Sequence, residues 1–149
     1  MYTVILVAID GSPTSSNALD EAVGLARLSN ARLHVVHIVD PIKHMTGFER
    51  PEVYVREILP ALLREGEAVL SKARAQAEAA GVQADTALIE SKGEPVWQLL
   101  VNDAKASGAS LVVVGTHGRK GVNRVLMGSD AEQVARHAPV PVLLVRPRA

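Results

Sequence analysis

Two periodicities alternate along the chain. The runs Val4 to Ile9, Leu33 to Val39, Leu111 to Val114 and Val140 to Val145 are apolar almost throughout, the pattern of strands covered on both faces. A further run, Val82 to Ile89, alternates instead. Val82, Ala84, Thr86 and Leu88 fall on one side, Gln83, Asp85 and Ala87 on the other, which suits the edge of a sheet.

Between these runs the apolar positions recur at helical spacing. Ala18, Leu19, Ala22, Val23, Leu25 and Ala26 line one broad face of a helix expected from about Thr14 to Leu28. Leu59, Leu62, Leu63, Val69, Leu70, Ala73, Ala77 and Ala80 do the same over a longer segment ending at Gly81, read as a C′ glycine. Pro60 either kinks that helix or marks its start. Val96, Leu99, Leu100 and Ala104 define a third helix, and Val134, Ala135 and Ala138 a fourth. The order β-α-β-α-β-α-β-α-β predicts one α/β domain on a mainly parallel, doubly wound sheet with right-handed crossovers. The long irregular stretch Asp40 to Arg50, with Pro41 and Gly47 in it, reads either as a lid or as a mobile loop.

Composition narrows the function more than the fold. Sixteen basic residues balance sixteen acidic ones, so no global field favours nucleic acid or an anionic membrane. Aromatic residues are limited to Tyr2, Phe48, Tyr54 and Trp97, too few for a base-stacking platform. No cysteine occurs, which excludes disulfides, thiolate metal sites and cysteine nucleophiles. The chain opens on its first expected strand without the layout of a signal peptide, and no apolar run approaches membrane-spanning length. A soluble cytosolic protein is expected, with neither nucleic acid nor membrane as a partner.

In open α/β sheets, ligands bind beyond the carboxyl ends of the strands, near the point where strand order reverses. The first expected strand ends in Asp10-Gly11-Ser12-Pro13 and the fourth in Gly115-Thr116-His117-Gly118, while Gly128-Ser129 precedes the last helix. Gly115 and Gly118 permit close backbone approach to a ligand. At Gly128-Ser129, free N–H groups and the positive end of the helix dipole converge, a ready phosphate site. Arg119, Lys120 and Arg124 add positive charge on the loop between. Each feature also has a structural explanation. Ser129-Asp130-Ala131-Glu132 fits a capping box, Ser12-Pro13 is an ordinary helix start, and glycines after a strand often serve only the turn.

Taken together, Gly115-x2-Gly118-x9-Gly128-Ser129 resembles the nucleotide-binding signature of the ATP-binding subgroup of universal stress proteins. The resemblance covers the whole chain, through the opening Ile-Leu-Val-Ala-Ile-Asp-Gly-Ser, the second strand Leu-His-Val-Val-His-Ile-Val and the closing Ala-Pro-Val-Pro-Val-Leu-Leu-Val. It implies a single domain over residues 1–149, a Rossmann-like sheet of the adenine nucleotide alpha hydrolase type with strand order 3-2-1-4-5. It implies ATP as ligand, with Mg²⁺ or Mn²⁺ held mainly through the phosphates. Asp10 matches the acidic residue near the ribose and the metal-phosphate region, and Ala8 lies on the same strand near the nucleotide. Val39 matches the position whose backbone meets adenine. Gly115, His117 and Gly118, with Arg119 beside them, match the loop around ribose and phosphates, and Gly128, Ser129 and Asp130 the final phosphate turn. Asp130 departs from the family's usual small or apolar residue. A carboxylate beside a triphosphate is repelled by about 1 kcal/mol if solvated, unless a metal ion or an outward rotamer relieves it. The resemblance further implies a homodimer through Val140 to Val145.

The remaining histidines point elsewhere. His34 and His37 lie three apart on one expected strand, face opposite ways and cannot share a metal; both read as sheet-facing residues with partners. His44 falls in the irregular stretch, and His137 near a helix C-terminus, where a cation is favoured. His117 would donate to a phosphate or serve as a general acid, but no acid–base partner accompanies it or Ser129, so binding ranks above catalysis. Three functions from different classes follow. The first is an ATP-binding stress-response module that signals to a downstream protein through its dimer surface or the 40–50 loop. The second is a slow ATPase or a phosphoryl or nucleotidyl transferase, and the third a nucleotide-free dimeric scaffold.

Overall fold

The computed structural model describes residues 1–41, 50–117 and 127–148. Strands β1 (Val4–Ala8), β2 (Arg32–Val39), β3 (Ala84–Glu90), β4 (Leu111–Gly115) and β5 (Val142–Val145) form one parallel sheet in the order β3-β2-β1-β4-β5. Helices α1 (Pro13–Ser29) and α3 (Leu59–Ala79) cover one face, and α4 (Val96–Ser107) and α5 (Ser129–His137) the other. This is the strand order, and the two-sided cover, that the sequence leads one to expect.

The central strand shows why. β1 pairs with β2 through Val4↔Arg32 to Ala8↔Val36 and with β4 through Ile5↔Leu111 to Val7↔Val113. Ile5 and Val7 point toward α1 and α3, Leu6 toward α4, and all three are fully buried. Burying each such side chain contributes about 1.5–3 kcal/mol. β3, the alternating run, lies at one edge as expected. β5, at the other edge, differs from its pattern: its run is apolar, yet Val142, Leu143 and Leu144 are only half-buried. Regular pairing starts at Val142 because Pro139 and Pro141 have no N–H to donate, although the Pro141 carbonyl accepts from Val112 N at 3.0 Å.

The helix ends follow local chemistry. Ser12 caps α1, its hydroxyl accepting from Ser15 N at 3.2 Å, with Pro13 at the first helical position. Gly81 follows the last residues of α3 with φ 79°, a left-handed conformation that glycine adopts without steric cost. Pro60 stands at the second residue of α3, at its start as one of the two expectations has it. The short helix α2 (Pro51–Val53) runs into a π-helical turn, Tyr54–Ile58, and on into α3. Leu59 N–H reaches the Tyr54 carbonyl, one residue further back than in an α-helix. The wider turn accommodates the Pro60 ring, which would clash with a carbonyl four residues earlier in a regular helix. Among the described residues, no helix is long and apolar enough to cross a membrane.

Candidate functional site

A cavity of about 460 Å³ opens beyond the carboxyl ends of β1, β2 and β4, where the sheet order turns from β2-β1 to β1-β4. It wraps over the edge of the sheet. On the α4/α5 side its wall is apolar, built from Ala8, Val36, Ile38, Leu100, Val114 and Val134. On the α1/α3 side Ile9, Ser15, His37, Leu62 and Glu65 line it.

Of the residues the sequence singles out, Ala8, Asp10, Val39, Gly115, His117, Gly128, Ser129 and Asp130 all line this one cavity. Gly118 and Arg119 lie outside the described residues, as do Lys120 and Arg124. Asp10 is fixed by its own turn: its Oδ1 accepts from Ser12 N at 2.9 Å, and its N–H donates to Ser15 Oγ at 3.2 Å. Gly115 and Gly128 are required by the chain itself. A Cβ on Gly115 would stand 2.8 Å from Thr14 Cγ2, and one on Gly128 2.9 Å from the Thr116 carbonyl oxygen. Gly128 N–H in turn donates to that oxygen at 2.6 Å. The structural explanation of these glycines is therefore correct, and what their close packing shapes is the cavity rim.

The capping box at Ser129 does not form. Gly128 is the N-cap of α5, Ser129 is the first helical residue, and among the described residues no side chain caps the end. The first intrahelical bond is Glu132 N to the Gly128 carbonyl, 3.0 Å. Residues 129–131 thus present the N–H groups that a helix leaves without intrahelical partners, and all three residues line the cavity. Asp130 turns toward α4, where its Oδ1 accepts from Trp97 N at 3.3 Å. Asp130 also lines the cavity. His117 is held through Nδ1, 3.0 Å from Thr116 Oγ1, while its buried Nε2 has no hydrogen-bond partner. Leaving a buried polar atom unpaired costs about 1–3 kcal/mol.

Two wall residues were not legible as site residues. The Val39 carbonyl accepts from Ser91 N at 2.8 Å, toward β3, whereas the Val36 carbonyl accepts from Ile9 N at 2.9 Å, toward β1. By the alternation of a parallel ladder, it is Ile38 whose peptide groups turn toward β1, past the point where that strand ends at Ala8. The sheet register would have identified it. His37 behaves as a sheet-facing residue with a partner, its Nδ1 2.8 Å from the Ile9 carbonyl oxygen, and it too lines the cavity. His34 faces the opposite side, between Asp85 and Asp103. His137 ends α5 and stacks on Trp97 with ring centroids 4.6 Å apart. His44 lies outside the described residues. Among the described residues, no group of three His, Asp or Glu could hold a metal ion.

Residues 1–146 match the model of the universal stress protein family. The chain belongs to that family. It is 40% identical over 151 residues to universal stress protein YxiE of Bacillus subtilis, covering 98% of this chain and 100% of the relative. A crystal structure of a universal stress protein family member from Burkholderia pseudomallei superposes with a TM-score of 0.79 at 39% identity, covering 99% of this chain and 97% of the other. Another solved universal stress protein, in complex with cAMP, has a TM-score of 0.72 at 26% identity, covering 99% of each chain. One from Archaeoglobus fulgidus, in complex with dAMP, has a TM-score of 0.67 at 25% identity, covering 97% of this chain and 98% of the other. The cavity thus belongs to a fold in which members of this family bind nucleotides.

Proposed function

We propose that this universal stress protein is a cytosolic, dimeric regulatory module that binds ATP in the cavity at the switch point. The uncapped N-terminus of α5 carries the reading. α1 is capped by its own Ser12 and α4 receives Asp130, whereas the first turn of α5, residues 129–131, lines the cavity with the positive end of its helix dipole. Such an end attracts phosphate through its donors and its dipole together. His117 lines the same cavity beside that first turn. The apolar wall on the α4/α5 side suits the faces of a base, and the Ile38 peptide offers a donor and an acceptor to its edge. The cAMP and dAMP complexes of related proteins support an adenine nucleotide. Asp10 would hold a divalent ion together with the phosphates, which neutralises part of their charge. Binding without turnover is favoured, since the described partner of His117 is the Thr116 hydroxyl and not a carboxylate. The half-exposed apolar residues of β5 support a second copy of the chain at that edge.

The test is calorimetric titration of nucleotide-stripped protein with ATP, with and without Mg²⁺, plus an assay of the same sample for ADP and AMP. Saturable binding that weakens in Asp10→Ala, without product, is the expected result. Absence of both heat and thermal shift at millimolar ATP sinks the nucleotide reading. Sedimentation as a monomer at micromolar concentration sinks the dimer.

A further inference from the structure

On its α1/α3 side the cavity wall carries a buried ring whose tautomer follows from its contacts. His37 is 7% exposed, and its Nδ1 lies 2.8 Å from the Ile9 carbonyl oxygen. A carbonyl only accepts, so Nδ1 carries the proton, and in the neutral ring Nε2 is left with a lone pair. No described residue hydrogen-bonds Nε2. Nor is it sealed off, since the one buried side-chain polar atom without a partner among the described residues is His117 Nε2. The Cδ2–Nε2 edge lies against Gly66 of α3, where a Cβ would come within 2.8 Å of Cδ2 and 3.3 Å of Nε2. Glycine at 66 lets the α3 backbone pack against this edge of the ring, where any larger residue would collide with it. Glu65, next along α3, lines the same wall and its carboxylate is again an acceptor. An anionic phosphate is disfavoured on this side of the cavity and a neutral donor is favoured.

We propose that His37 is a specificity-determining residue whose Nε2 accepts a hydrogen bond from a neutral donor of the bound ligand, a sugar hydroxyl or a ring amine. The inference rests on the reading of the cavity as a nucleotide site. His37 then has two tasks. Through Nδ1–H it holds the carbonyl of Ile9, the residue before Asp10, and through Nε2 it reads the ligand.

His37→Asn separates the two, because an amide N–H can replace Nδ1–H toward Ile9 while nothing replaces Nε2. Wild type and His37→Asn are titrated by calorimetry with ATP, 2′-deoxy-ATP, 3′-deoxy-ATP and purine riboside triphosphate, which lacks the 6-amino group. ATP is expected to bind the variant about fivefold more weakly, the worth of one hydrogen bond. One analogue, the one lacking the donor that Nε2 reads, should bind wild type about fivefold more weakly than ATP and be indifferent to the substitution. The deoxy analogues identify a hydroxyl and the purine riboside an amine. Equal losses for all four ligands, or no loss for any, overturn the proposal. Should the variant fail to fold, ¹⁵N-histidine spectra of wild type decide: the His37 Nε2 resonance moves on adding ATP, and an unmoved resonance overturns the proposal. Wild type that binds none of the four refutes the nucleotide reading itself, and this inference with it.

Discussion

The Asp130 carboxylate reaches from α5 to α4 and accepts a hydrogen bond from the Trp97 backbone N–H at 3.3 Å. α4 begins after Pro95 with no side-chain cap of its own, so the residue that adds negative charge to the first turn of α5 also serves the first turn of α4. The two helices are joined again where His137 stacks on Trp97. Asp130 and His137 of α5 thus both contact Trp97 of α4.

Asp130 should therefore show opposite effects on stability and on binding. Asp130→Asn keeps an acceptor for Trp97 and removes the charge. We expect a stability loss below about 1 kcal/mol and ATP binding tighter by about fivefold, the equivalent of the repulsion relieved. Asp130→Ala removes the acceptor as well and should cost about 1 kcal/mol. Urea midpoints and calorimetry measure the two quantities separately. Weaker ATP binding in Asp130→Asn would show that the carboxylate assists the ligand.

Gly115 is fixed by a neighbour that can be trimmed. A Cβ there would lie 2.8 Å from Thr14 Cγ2, so Gly115→Ala should destabilise the fold by about 1–3 kcal/mol. Thr14→Ser removes the methyl and should recover most of that loss in the double variant. At Gly128 the obstacle is the Thr116 backbone carbonyl, 2.9 Å away, and no side-chain change should rescue Gly128→Ala. Denaturation of the single and double variants distinguishes the two cases.

Much of this architecture is readable from periodicity, because parallel strands buried on both faces must be apolar at successive positions, as Ile5, Leu6 and Val7 are. Strand β5 escapes that rule. Its run resembles a central strand, but an apolar edge and an apolar centre have the same pattern until pairing partners are known. The cavity-lining residues at strand ends and glycine turns were legible because open α/β sheets form a crevice there. Ile38 and His37 were not, since which peptide faces β1 and which ring edge meets α3 depend on register and packing. Ser129 failed in the other direction. Its Ser-x-x-Glu spacing fits a capping box, yet Gly128, pinned to the Thr116 carbonyl, takes the N-cap position instead.

Tyr54 supplies a pH dependence at the top of the sheet. Burial, with the Glu90 carboxylate at the end of β3 and the Asp40 carboxylate just past β2, holds its phenol above the ordinary value of 10.0. A raised folded-state value means the stabilising contribution is fully present below the unfolded value and is lost as pH rises through the folded one. Stability should thus fall on the alkaline side of pH 10, and Tyr54→Phe should flatten that fall. Ultraviolet titration in a Tyr2→Phe background reads the phenol directly. A midpoint at or below the ordinary value would contradict the arrangement.

His117 offers the sharpest separation of binding from folding. Its Nδ1 is paired with Thr116 Oγ1, and its buried Nε2 has no partner among the described residues. Replacing His117 alone would strand the Thr116 hydroxyl, which belongs to a buried residue. The double variant Thr116→Val, His117→Leu removes donor, acceptor and orphan atom together, and such exchanges are near neutral or stabilising. The free double variant should therefore melt at or above the wild-type temperature. Added ATP should raise the wild-type melting temperature in proportion to the logarithm of its concentration over Kd and raise the variant's far less. Equal shifts in both proteins would mean that the unpaired nitrogen takes no part in binding, and the phosphate contact would then belong to the N–H groups of α5 alone.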